Sequence, residues 1–265
     1  MALSMSRASL QHSRSSSGDA FAAQANAWQE RMQIALARRL PPKDETPASL
    51  NAALRSWVLN RADRRHSILM FAVGHTVGLR EEQVEVAACA LELLHLFVEA
   101  HRVLPALAGG ERSSTEHPVL QDYDEATLLL VGDSLAPLAL SVICVDPQLR
   151  VPPLVRLQLA EMLTSAIGSR GTLGAQMAVE GDRAAPANAH RSDYCIGVRL
   201  ASACQGRPPG RRLGALLADF ERALTLSWAE AYAVLASCGA EAETLRRATR
   251  WLIERENEGE RDERA

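Results

Sequence analysis

Two groups of carboxylates sit close enough in the sequence to share a cation: Asp122, Asp124 and Glu125, and then Glu180 with Asp182. A hard divalent cation needs several oxygen ligands at short range, so either group is a candidate to be weighed. Acids at the start of a helix also complement its N-terminal dipole, and Asp124 and Glu125 precede an apolar helical pattern, which accounts for them without metal. A third stretch, AHRVLPALAGGERSS from Ala100 to Ser114, follows the long apolar pattern VAACALELLHLFVEA and has a Leu-Pro spacer but one acid, Glu111. His95 lies inside that pattern, where a histidine is more often a core residue than a ligand. Cys89, Cys144, Cys195, Cys204 and Cys238 have no paired spacing, which disfavours a disulfide framework, a zinc site and Cys-His catalysis.

Such residues have to be positioned by the rest of the chain. Its 265 residues, 47% hydrophobic and 23% charged, are ordinary for one globular domain. A formal charge of −3, with no clustered basic residues, argues against nucleic acid as a partner. No run of about 18 uninterrupted apolar residues stands out as a membrane span, and scattered thiols fit a reducing cytoplasm. Of 29 basic residues only Lys43 is lysine, a bias that base composition explains.

The period is helical throughout. Residues 1–20 form a Ser/Arg-rich leader without a core segment, expected to be disordered, with a transit peptide as the alternative. From Phe21, apolar residues at 25, 28, 32 and 35 share one helical face, and LPP at 40–42 ends it. Thr46 then serves as N-cap, with Pro47 at the first helical position of ASLNAALRSWVL. Further helices are expected at HSILMFAVGHTVG, Glu81 to about Leu104, Glu125 to Val145, from VPP at 151–153 onwards, RSDYCIGVRLASAC, about Arg211 to Ser237 as one long segment, and about Glu241 to Glu256. No strand alternation is sustained. The expectation is an all-α chain, a single bundle of about ten helices around a central cavity over residues 21–257, with a charged, frayed tail at 258–265.

ALELLH, the spacing to LPAL, EATLLLVGD and GAQ occur in order, and together they resemble the trans-isoprenyl diphosphate synthases, the farnesyl and geranylgeranyl diphosphate synthase family. The resemblance runs from about residue 21 to about 237 and implies the isoprenoid synthase fold. It also implies an active site in which two aspartate-rich motifs hold Mg²⁺ against an allylic diphosphate while Lys and Arg grip the phosphates. Where the first motif has its aspartates, this chain has Arg102, Val103 and Ala108, and its Arg pair has become Ser113 and Ser114. Where the second has them, in LSWAEAYAVLA, stand Tyr232, Ala233 and Ala236. In the glycine-rich diphosphate motif, falling on RADRRHS, the Lys has become Asp63, the second Arg has become His66, and Arg64 is kept. An arginine at a ligand position puts positive charge where the cation would sit.

The resemblance therefore implies no metal and no catalytic residues here, with Arg64, His95 and Gln176 as vestigial substrate-binding positions. Phe97 falls in the region that limits product length in active relatives, although an aromatic core role explains it as well. The expected function is that of a catalytically inactive homologue, a pseudoenzyme forming a homodimer, or a heterodimer with an active prenyl diphosphate synthase. Two alternatives stand beside it: a divergent prenyltransferase or terpene-processing enzyme with a rebuilt site, and a binding protein for a prenyl ligand with Arg64, His66 or Arg102 at the cavity mouth.

Overall fold

A computed structural model of the chain describes residues 7–61, 64–104, 122–168, 192–206 and 209–262, with side chains described between residues 20 and 256 of those spans, except at 192 and 193. Among the described residues there are ten α-helices and no strand: α1 (Arg7–Arg39), α2 (Ala48–Leu59), α3 (Arg65–Thr76), α4 (Glu81–Arg102), α5 (Glu125–Val145), α6 (Pro153–Ile167), α7 (Ser192–Ala203), α8 (Arg211–Leu226), α9 (Trp228–Ala236) and α10 (Glu243–Asp262). The all-α class expected from the sequence is the one observed among the described residues.

α4 is the central element. Val84, Val86 to Ala90 and residues 93, 94, 96, 97, 98 and 100 are buried around its circumference, so it is wrapped by α1, α3, α5 and α7. A helix that is apolar all round can be stable in water only in such a place. α5 runs antiparallel along it, with Asp133 opposite His101 at one end and Asp146, just past its last turn, joined through Arg39 to Glu85 at the other. Gly132 permits the close approach: a Cβ there would lie 2.8 Å from His101 Cε1 and 3.2 Å from Ala100 Cβ. Gly197 does the same for α7, where a Cβ would meet Met70 and Leu91 at 3.1 and 3.2 Å.

α1 is fastened by Trp28, which stacks on Phe71 of α3 at 5.4 Å and donates its indole N–H to Glu81 of α4. A stacked aromatic pair adds about 0.5–1.5 kcal/mol beyond its buried area. α2 is tied to α4 by the Trp57 indole, which donates to the Leu96 carbonyl.

The structure moves four expected boundaries. α1 begins at Arg7, earlier than the apolar spacing from Phe21 indicates, because backbone bonding continues through the polar Ser/Arg stretch. Thr46 is not the N-cap of α2: Pro47 is extended (φ −85°, ψ 111°) and is itself the flanking residue, with no side-chain cap. The single segment from Arg211 to Ser237 is two helices, since Ser227 is extended and its hydroxyl accepts the N–H of Glu230, capping α9. The last helix starts at Glu243, after a 3₁₀ turn over Ala240–Ala242.

α5, although interrupted by Asp133, has by length and composition what a membrane-crossing helix needs. Its inner side, however, packs on the bundle through Leu128, Val131, Leu135, Ala139, Val142 and Ile143.

Candidate functional site

Arg102 ends α4 and is exposed, its guanidinium donating to Glu99 at 3.0 Å. Arg61 approaches the other carboxylate oxygen of Glu99 at 3.9 Å and lies over the Trp57 ring at 4.5 Å. Val103 is the half-buried cap residue beyond the helix. Ala108 lies outside the described residues, as do Asp63, Ser113, Ser114, Gln176, Glu180 and Asp182. At the other expected motif, Tyr232 accepts a hydrogen bond from Arg250 of α10, whose guanidinium also sits 5.4 Å from the ring centroid. That bond is the main cause of Arg250 being held above the ordinary arginine value. Ala233 and Ala236 are exposed and offer no donor atom.

Mg²⁺ requires oxygen ligands in near-octahedral arrangement. The described residues at the two motif positions supply the Arg102 guanidinium, the Tyr232 phenol, which is paired to Arg250, and hydrocarbon. They do not fit the metal. Among the described residues no three His, Cys, Asp or Glu side chains converge as a ligand set. Asp124, from the acid cluster, caps α5 by accepting the Thr127 N–H at 2.7 Å, and hydrogen bonding from the Thr127 side chain, then from its backbone N–H, holds the carboxyl below the usual range.

Arg64 is turned into the protein and is 1% exposed. Its Nη2 donates to the Val58 carbonyl at 2.6 Å and to Gln33 at 3.1 Å, and its Nη1 lies 3.5 Å from Glu92. Glu92 in turn accepts from the backbone N–H and hydroxyl of Ser67, at 3.2 and 2.6 Å, at the start of α3. The guanidinium thus closes the junction of α1, α2, α3 and α4. As an internal ion pair it is unavailable at a cavity mouth.

His95 is brought instead to His66, ring centroids 4.3 Å apart. His66 stacks on Tyr194 at 4.4 Å, and Tyr194 meets the edge of Trp228 at 4.8 Å. Four helices, α3, α4, α7 and α9, supply this aromatic row. Phe97 is buried, with its ring 4.5 Å from His101, in keeping with a core role. His101 was not among the candidate site residues, yet it links α4 to α5, its Nδ1 2.8 Å from the Phe97 carbonyl and its Nε2 3.2 Å from Asp133. The one sequence signal for this pair is that Asp133 is the sole charge between Glu125 and Asp146.

No protein-family model matches the chain. It is 29% identical over 161 residues to a farnesyl diphosphate synthase of Geobacillus stearothermophilus, covering 59% of this chain and 53% of that protein. It is 33% identical over 135 residues to a dimethylallyltranstransferase of Fischerella ambigua, covering 50% and 38%. The chain thus spans about half the length of the curated relatives it matches. Among solved structures, a geranyltransferase from Legionella pneumophila superposes with TM-score 0.78 at 17% identity over 92% of this chain and 99% of that one. A deletion mutant of the heterotetrameric geranyl pyrophosphate synthase of mint superposes at 0.66 with 16% identity, over 86% and 99%. At these identities the structures speak for the fold alone, and the aligned segments for descent. Together they establish that the chain belongs to the trans-isoprenyl diphosphate synthase family.

Proposed function

We propose that this chain is a member of its family without prenyl transfer activity, and that it works in the cytoplasm as a non-catalytic partner subunit in isoprenoid biosynthesis. The observation that carries this reading is the chemistry at the two aspartate-motif positions. Arg102 paired with Glu99, and Tyr232 paired with Arg250, present cationic groups where the family's reaction needs carboxylates to gather cations. Arg64 supports it further, since its guanidinium is committed to Glu92 and a backbone carbonyl. Against that loss stand an intact helical core and the outer side of α5, where Leu129, Leu130 and Val145 remain exposed on an otherwise apolar helix. A core retained while charged positions diverge is consistent with a folded protein kept for association.

The test is incubation of the purified chain with isopentenyl diphosphate and dimethylallyl diphosphate, with and without Mg²⁺, followed by mass spectrometry of products and a parallel thermal-shift titration. No prenyl product and no Mg²⁺-dependent rise in Tm are expected. Mg²⁺-dependent product formation would overturn the reading and point to a rebuilt transferase site. Co-purification with an active prenyl diphosphate synthase, lost when Leu130 is changed to Asp, would tie the partner role to α5.

A further inference from the structure

His66 on α3 and His95 on α4 stand side by side, ring centroids 4.3 Å apart and planes tilted by 47°. Both are half-buried, within reach of solvent. A divalent transition metal bound to an imidazole nitrogen at about 2.0 Å lies about 3.2 Å from the ring centre. Two imidazoles at right angles on one ion therefore have centroids about 4.5 Å apart, and two in a tetrahedral arrangement about 5.2 Å. The observed separation is close to the first value and well short of the second. Right-angled coordination is the habit of Cu²⁺ and Ni²⁺ with nitrogen and oxygen ligands, and tetrahedral coordination that of zinc.

The helices that carry the pair are locked together at this level. Ser67, next to His66, gives its backbone N–H and its hydroxyl to Glu92, one turn before His95, and Arg64 pairs with the same carboxylate. His66 also rests on the buried Tyr194 ring at 4.4 Å, and Tyr194 is backed by the edge of Trp228. A pair held on two fixed helices loses little freedom when it closes on an ion. Histidine χ2 is broad, so aiming one nitrogen of each ring at a shared point asks for no movement of α3 or α4. The second nitrogen of each ring stays available for a hydrogen bond, which is how metal-bound histidines are oriented. Beside Tyr194 and Trp228 an imidazole contributes less apolar surface than a phenyl ring would; what it adds is a nitrogen able to ligate metal.

We propose that His66 and His95 chelate one divalent transition-metal ion of the Ni²⁺ or Cu²⁺ class, which staples α3 to α4. Among the described residues no third His, Cys, Asp or Glu completes the set, so water takes the remaining positions. This is nitrogen-ligand chemistry, separate from the oxygen ligands that Mg²⁺ requires, and it needs none of the carboxylates missing from the aspartate motifs. The site stands independently of whether the chain transfers prenyl groups.

Isothermal titration of the full chain with Ni²⁺, alongside thermal melts, tests this. Ni²⁺ is expected to bind and to raise Tm, an effect that EDTA reverses and Mg²⁺ does not reproduce. His66→Gln and His95→Gln should each weaken Ni²⁺ binding at least about tenfold and remove the rise in Tm, while circular dichroism shows the helices retained. His75→Gln, at the other end of α3, should leave the Ni²⁺ affinity unchanged. Electron paramagnetic resonance of the wild-type chain with substoichiometric Cu²⁺, after the exposed Cys144 thiol has been blocked, decides the matter even where a variant fails to fold. Two imidazole nitrogens on the copper are expected, and one or none overturns the chelate. Ni²⁺ binding that survives both substitutions overturns the assignment to this pair, and a wild-type chain that does not bind Ni²⁺ overturns the site. Tighter binding of Zn²⁺ than of Ni²⁺ overturns the right-angled geometry.

Discussion

Arg64 and Glu92 form an ion pair inside the protein, at 1% and 2% side-chain exposure, with Nη1 3.5 Å from Oε2. The pair joins the start of α3 to the middle of α4, and its remaining hydrogen bonds reach α1 and α2. Removing one partner strands the other charge in a low-dielectric setting, a far larger loss than the net worth of the pair. Arg64→Met and Glu92→Met alone are therefore each expected to cost about 3–5 kcal/mol. Arg64→Met with Glu92→Met should cost less than either single change. Urea denaturation of the four proteins as a double-mutant cycle measures this, and strictly additive effects would show that the two side chains do not interact.

Gly132→Ala should destabilise the chain despite the better helix propensity of alanine. The new Cβ would stand 2.8 Å from His101 Cε1, so either the imidazole leaves Asp133 or α5 moves off α4. Such overpacking costs about 1–3 kcal/mol, against a propensity gain of about 1 kcal/mol. A thermal melt that rises on substitution would contradict the close approach of the two helices.

Thiol labelling should separate the cysteines by burial. Burial pushes the thiols of Cys89 and Cys204 up to about 12, so both are protonated at neutral pH as well as shielded. Cys144 is exposed near the end of α5. Mass spectrometry after brief treatment with a maleimide at neutral pH should show Cys144 modified and Cys89 and Cys204 unmodified until denaturant is added.

Acid stability should depend on Glu243 at the start of α10. The hydrogen bond from Arg247 is the main cause of its carboxyl lying below the ordinary value of 4.5. With the folded value below the unfolded one, its stabilisation is complete above the unfolded value and lost as pH falls through the folded one. The side chain is 44% exposed, so the effect is small, on the order of 0.5 kcal/mol after solvent screening. The Tm difference between the wild type and Glu243→Gln should be largest near neutral pH and shrink toward pH 3. A difference that grows on acidification would rule out this origin.

Much of the architecture was legible because helix formation here is a local matter. The period in VAACALELLHLFVEA and the Asp124 signal before EATLLLVGD place α4 and α5, and the observed Glu125–Val145 agrees at both ends. The break at Ser227 was not legible, since an extended serine between two helices leaves the apolar spacing almost undisturbed. Nor was the commitment of Arg64. In the sequence it is a cation kept in a diphosphate motif, and its partner Glu92 is 28 positions away on another helix.

Which residues occupy the aspartate-motif positions, and so where carboxylates could be offered at all, is already written in the order of residues along the chain. The aromatic row from His95 to Trp228, the inward turn of Arg64 and the His101–Asp133 link across α4 and α5 were decided only in the tertiary structure. The physical reason is that periodicity records how each helix is divided between core and solvent. Pairing between polar groups depends on helix crossings, and those are set by close approaches such as Gly132 against His101, which have no signature along the chain.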